Sequence, residues 1–352
     1  MSGWTGSPVT YALGSAGLVV VVEAGDRPDG SAVYAADEVR LRQPFPDEVV
    51  ATLSIRPGAR LPVYGFVRMP EGCLPLGELT VMSHGSSRTP GASQWGFEEC
   101  RLHIDQRLPF SVLDRVRPMP VVELPDLAWL DLLPGDPIGA LRRFVTGWFA
   151  DVPAVAEAPP TASVQATPVP PALAALYEAA AGRRQPLGGF NRIFTPDRFK
   201  PRGDGRVVFG TECQGVWNLL MDPDEPDPAV TYDDLGNGPV VERERLAGFL
   251  VQFVVADAAI GTRYGGIATT HPQAARGLVD TLSPVPLQPL HWPADPTRLY
   301  VGPGLAVAVC PAPGASTTED GPDLVEIYAG SRHRIALRPA REPGFQWDHF
   351  TG

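Results

Sequence analysis

Glu212, Gln214 and Trp217, followed by Asp222, Asp224, Glu225 and Asp227, lie in the stretch FGTECQGVWNLLMDPDEPDPAVTY, where residue type and spacing come nearest to chemistry. Three uses are open to them: a metal loop, an acid/base pair, or a face shaped for another protein. A calcium loop of the EF-hand kind needs oxygen ligands at alternating positions, glycine at the sixth and a bidentate glutamate at the twelfth. Counted from Asp222, the third position is Asp224, but the fifth is Pro226, the sixth Asp227 and the twelfth Asp233. The match fails at the turn, and no metal is expected. Glu212 with Asp227 would make an acid/base pair only if the fold set their separation.

Other chemistry is no better specified. His84, His103, His271, His291, His333 and His349 are dispersed, without an H-E-x-x-H pair, and no serine stands in a G-x-S-x-G elbow. His84 does lie beside Ser86 and Ser87 in SHGSSRTPG. Triads are assembled from distant segments, so a surface loop is the expectation there. Neither phosphate-cradling glycine pattern occurs. The chain is therefore read as having no catalytic residues and no cofactor, with His84 and His103 the candidates should its first half be an enzyme.

Composition narrows the partners. The chain has 352 residues, 44% apolar and 20% charged, which is globular and long enough for two domains. Acidic residues outnumber basic ones 40 to 29, for a formal charge of −11, and Lys200 is the single lysine. With no basic stripe, nucleic acid is excluded as a partner, whereas a basic protein is favoured by long-range attraction. Cys73, Cys100, Cys213 and Cys310 show no C-x-x-C spacing and read as reduced, mostly buried residues. The first twenty residues do not form a signal peptide pattern. The longest apolar run, LAGFLVQFVVADAAI, is shorter than the roughly 20 residues a membrane span requires and contains Gln252 and Asp257. It reads as a core helix, and the protein as cytoplasmic.

The elements that must position these residues form two units about a Pro/Ala-rich linker at 151–168. Residues 1–150 read as a separate β-rich domain, with GLVVVVEAG, DEVVATLSIRPG, LPVYGFVRM and CRLHIDQRL as strands and DPIGALRRFVTGWFADVP as a closing helix. Residues 169–352 open with a helix from Pro171, ended by Gly182. A hairpin of GRVVFG and QGVWNLLM is expected to turn at Gly210 and Thr211, followed by a strand DPAVTY and a long helix VERERLAGFLVQFVVADAAI. LYVGPGLAVAVCPAP, DLVEIYAG and RHRIALRPA are expected to add strands. The class is α+β, with a mostly antiparallel sheet and packed helices in the second domain.

FGTECQGVWNLLMD, then DPAVTYDD, then RLAGFLVQFVVADAAI resembles the central signature of the SUKH superfamily: a strand, an E-N-Q-like turn, an aromatic-bearing strand, a D-P-P-V-like strand and a closing helix. Here Glu212, Cys213 and Gln214 stand at E-N-Q, Trp217 is the aromatic, and Asp227 to Val230 read D-P-A-V. The resemblance covers about residues 168–260 and implies a bacterial immunity protein that binds and neutralises a cognate toxin. The other implied role is that of a structural or adaptor component. Glu212, Gln214 and Trp217 are then structural, the polar pair fixing the turn and the tryptophan packing the sheet. Asp222, Asp224, Glu225, Asp227, Asp233 and Asp234 are the expected partner-binding face for a basic toxin domain, since no lysine or arginine lies among them in the chain.

Overall fold

The structure, a computed structural model, describes residues 2–6, 9–24, 32–34, 38–42, 45–54, 61–87, 96–105, 108–116, 121–153, 168–234, 238–262, 264–318, 321–341 and 343–351. The fold is α+β. Internal contacts divide it into two units, Met1–Val121 and Val122–Phe350.

The first unit is an eight-stranded sheet of Ser2–Gly6 (β1), Val9–Gly14 (β2), Gly17–Glu23 (β3), Ala32–Tyr34 (β4), Glu38–Arg42 (β5), Val63–Met69 (β6), Gly72–Ser87 (β7) and Gly96–Ile104 (β8). The order is β1-β2-β3-β6-β7-β8-β5-β4, antiparallel throughout except for the parallel pair β3 and β6. Alternating residues such as Val20, Val22, Leu41 and Leu102 fill its core together with Val49 and Leu53. Those last two belong to Asp47–Leu53 (α1), a helix where DEVVATL was expected to be a strand. The i, i+4 spacing of Val49 and Leu53, with Asp47 and Glu48 in the first turn, satisfies a helix as well as a strand. A second helix, Phe110–Val116 (α2), follows β8.

The expected division at 151–168 is corrected in part. Residues 154–167 lie outside the described residues, but the helix thought to close the first domain, Pro137–Trp148 (α3), belongs to the second unit. Its apolar stripe of Leu141, Phe144, Val145 and Trp148 enters the same core as the helices Pro171–Ala180 (α4) and Leu246–Ile260 (α5). The Pro/Ala-rich composition marks a change of chain character, and α3 and α4 pack together across it.

The rest of the second unit is built on two six-stranded antiparallel sheets. One contains Asn191–Ile193 (β9), Lys200–Pro201 (β10), Val207–Glu212 (β11), Trp217–Met221 (β12), Ala229–Asp234 (β13) and Val240–Arg245 (β14), in the order β10-β11-β12-β13-β14, with β9 also on β11. After Tyr264–Thr270 (β15) and the helix Pro272–Val279 (α6) come Ser283–Pro284 (β16), Arg298–Gly302 (β17), Leu305–Pro311 (β18), the short ladder Thr317–Thr318 (β19) with Gly321–Pro322 (β20), Val325–Ser331 (β21) and His349–Phe350 (β22). Apart from the β19–β20 ladder, these strands form the second sheet, β16-β17-β18-β21-β15-β22.

Between these sheets α5 touches β13, β14, β17, β18 and β21 as well as α3 and α4. An all-round apolar helix must be surrounded by protein, and all of its residues except Asp257 and Ile260 are buried. Two expected elements differ. VERER is the edge strand β14, not the first turn of α5; the helix starts where the Leu246 N–H bonds Pro228 O at 2.9 Å. RHRIALRPA is a 3-10 helix over Arg334–Ala340, whose buried Arg334, Leu337 and Ala340 recur every third residue.

Candidate functional site

The E-C-Q turn is held by a single carboxylate. Glu212 Oε2 accepts the N–H groups of Gln214 at 2.6 Å and Val216 at 3.3 Å, while Oε1 accepts the Cys213 thiol at 2.9 Å. Gly215, at φ +76°, donates to Glu212 O at 3.0 Å and closes the turn. The hairpin therefore turns at Cys213–Val216, not at Gly210–Thr211, which lie within β11. Gly210 serves a different need: a Cβ there would lie 2.7 Å from Arg192 O on β9. Burial pushes the Glu212 carboxyl up, but the thiol and the N–H donors outweigh it and hold the group below the ordinary carboxylate range. Gln214 gives the turn its N–H only; its side chain is exposed.

Behind the turn lies an aromatic cavity. Trp217 on β12 is half-buried and meets Tyr232 of β13 edge-on at 4.8 Å and Trp292 at 6.4 Å. Trp292 arrives on the 285–297 loop, which β14 and α5 fasten. Glu242 Oε1 accepts His291 N at 3.0 Å and the buried Tyr232 hydroxyl at 2.9 Å; Glu244 Oε1 accepts Gln288 N at 2.8 Å. Arg243 bonds Pro289 O at 2.8 Å, and the Gln252 amide donates to Gln288 O. Phe249 and Phe253 of α5 complete the walls around about 10 Å³ of free space, room for one water-sized group.

Two polar side chains enter this lining, Asn191 and Asp257. Asp257 sits in the last turn of α5, where the helix dipole disfavours a carboxylate. Its Oδ1 accepts Gly189 N at 2.8 Å and Phe190 N at 3.2 Å, and Oδ2 has no hydrogen-bond partner among the described residues. Burial raises its pKa, and the two N–H donors only partly restore it. Gly188 allows the LGGF loop to reach Asp257: it takes φ +93°, and a Cβ there would lie 2.0 Å from Asn191 O. Asn191 is 4% exposed, and its Oδ1 has no hydrogen-bond partner among the described residues. Phe190, 47% exposed, and Val216, 52% exposed, adjoin the cavity through Trp292 and Trp217.

The carboxylate run is not the bare acidic face expected. Asp222 Oδ1 caps its own turn by accepting Asp224 N at 3.0 Å. Arg245 pairs with Glu225 at 2.5 Å and Arg202 with Asp233 at 2.8 Å, two cations brought in from β14 and from beside β10. Asp227 Oδ1 accepts Ala247 N at 2.9 Å and so caps α5. Asp224 is exposed, and the Asp234 side chain lies outside the described residues. Proximity in sequence concealed the arginines, which are neighbours only through the sheet.

Trp217 apart, the cavity residues escaped sequence reasoning because the lining comes from five separated segments. One signal was present: Asp257 is the charged residue of an otherwise apolar run. Of the cysteines, Cys100 and Cys310 are buried but Cys73 and Cys213 are exposed, which departs from the expectation of mostly buried thiols. His84 pairs with Cys100 and His103 with Thr80 in the β7–β8 register, so the two histidines are not cross-strand partners; the His84 side chain lies outside the described residues. Among the described residues no group of three or more His, Cys, Asp or Glu is placed to hold a metal ion, and no helix is long and apolar enough to cross a membrane. Comparison of the chain with protein-family models, curated proteins and solved structures finds no match.

Proposed function

We propose that this chain is a non-enzymatic, cytoplasmic, bacterial protein-binding protein whose second unit is SUKH-like and acts as an immunity protein against a cognate toxin. The observation that carries the reading is the order and geometry from Val207 to Ile260. A strand leads to an E-C-Q turn organised by Glu212, then a strand bearing Trp217, a D-P-A-V entry whose aspartate caps the next helix, and a closing core helix. The family resemblance implies this order without the edge strand β14 that here precedes the closing helix, and Glu212 and Asp227 have fold-making roles. The partner-facing surface is then the exposed apolar pair Phe190 and Val216 beside the turn. Side chains of this kind make the centre of a protein contact more readily than paired rim charges do.

Affinity purification of the full chain from its native host, with mass spectrometry, identifies the partner, and co-expression assigns its nature. The immunity reading expects a partner that arrests growth when expressed alone and is harmless together with this chain. Recovery of several components of one assembly, none affecting growth, would replace it with the adaptor role, to which the two-unit organisation is equally suited.

A further inference from the structure

We propose, building on the protein-binding reading above, that the aromatic cavity behind the E-C-Q turn receives the ammonium end of a lysine side chain from the partner, with Asp257 as its counter-ion and Asn191 as a second acceptor. Three observations converge on a cation. Asp257 is a carboxylate at the wrong end of a helix, with Oδ2 unbonded among the described residues and no cation beside it among them. Asn191 Oδ1 is a buried acceptor that no donor among the described residues reaches. A buried acceptor without a donor costs stability, and Asn191 Oδ1 is one; with the unbonded, solvent-reachable Oδ2 of Asp257 in the same lining, it calls for a group that only donates. The walls are Trp217, Tyr232, Phe249, Phe253 and Trp292, whose π-systems attract a desolvated cation.

Size selects among cations. The free space, about 10 Å³, is room for one water-sized group, which an ammonium head fills and a planar guanidinium with its five fixed donors exceeds. The stem would then lie on the surface that carries Phe190, whose ring meets Trp292 of the lining, and Val216, next in sequence to Trp217. The acidic net charge of −11 would draw a lysine-bearing partner toward the surface before this contact forms.

The test uses the purified full chain and n-butylammonium chloride, the end of a lysine side chain, with 1-butanol and n-propylguanidinium chloride as comparisons at constant ionic strength. The readout is the indole N–H nuclear magnetic resonance signals of Trp217 and Trp292, assigned with Trp217→Phe and Trp292→Phe. The expected result is a saturable shift of both signals with n-butylammonium, in the range of about 1–100 mM for so small a ligand. 1-Butanol should give no saturable shift, the guanidinium should bind at least tenfold more weakly, and Asp257→Asn should weaken n-butylammonium binding at least tenfold. Asn at this position keeps an oxygen for the Gly189 and Phe190 N–H groups, so the variant retains the fold; an unchanged far-ultraviolet circular dichroism spectrum checks this. No shift in the wild-type protein, or equal responses to n-butylammonium and 1-butanol, would mean a cavity that holds a water only and overturns the assignment. Equal binding by wild type and Asp257→Asn would overturn it too. Because no partner protein is used, these outcomes are separate from the toxin test: partner capture without alkylammonium binding removes the lysine site alone, and the reverse removes the immunity role alone.

Discussion

The Asp227 carboxylate accepts the Ala247 N–H at 2.9 Å, so the first residue of the D-P-A-V segment caps a helix that begins nineteen residues later, at Leu246. Arg245 binds the same segment through Asp227 O at 2.5 Å. The motif aspartate is thereby a fold-making residue. Asp227→Ala should destabilise the second unit by about 0.5–2 kcal/mol, the usual cost of a lost helix cap. Asp224→Asn, at an exposed position, should leave the denaturation midpoint unchanged. Chemical denaturation of the two variants side by side checks the contrast.

Glu212 should show its role in acid. Its folded-state pKa lies below the ordinary value of 4.5, so the stability it contributes is present above that ordinary value and is lost as pH falls through the lowered one. Glu212→Ala leaves the Gln214 and Val216 N–H groups without their acceptor and should cost about 1–3 kcal/mol at neutral pH. The gap between wild type and variant in urea midpoint should narrow on acidification; a gap independent of pH would contradict the carboxylate's role.

Asp257 has the opposite sign. Its pKa is raised by burial, so its contribution to stability is fullest below the ordinary value of 3.8 and is lost as pH rises through the folded value. At neutral pH the ionised group is a net cost, which is the expected mark of a residue kept for binding. Asp257→Asn should raise the Tm at pH near 7, with the advantage shrinking on acidification; thermal unfolding across that range measures it.

Trp217 is half-buried, with ring contacts to Tyr232 and Trp292. Trp217→Ala should therefore cost roughly 2–3 kcal/mol, below the ~3–5 kcal/mol of a fully buried aromatic. It should also disturb the 285–297 loop, seen as faster amide hydrogen exchange there than in β11.

What the sequence disclosed divides along physical lines. Local signals were legible: Pro171 opening α4, the turn role of Glu212, and the burial of the largely apolar α5. Elements whose period is shared by two structures were not, because Val49 with Leu53 fits a helix or a strand, and Arg334, Leu337 and Ala340 mimic strand residues while making a 3-10 turn. The hairpin turn was misplaced because Gly210 looks like a turn glycine, when its lack of a side chain serves the close approach of β9. The pairing within the acidic run was not legible for a tertiary reason, since Arg202 and Arg245 reach Asp233 and Glu225 across the sheet. The cavity joins Asn191, Trp217, Asp257 and Trp292, which no local pattern connects.

The central claim is that the surface beside the E-C-Q turn binds a partner protein. Calorimetric titration of the captured partner into the wild-type chain and into Phe190→Ala with Val216→Ser measures it most directly. Both side chains are about half exposed and Phe190 meets Trp292, so the double variant should stay folded with a modestly lower Tm. The account predicts a Kd at least tenfold weaker for the variant. An unchanged Kd would contradict it and put the contact elsewhere on the protein.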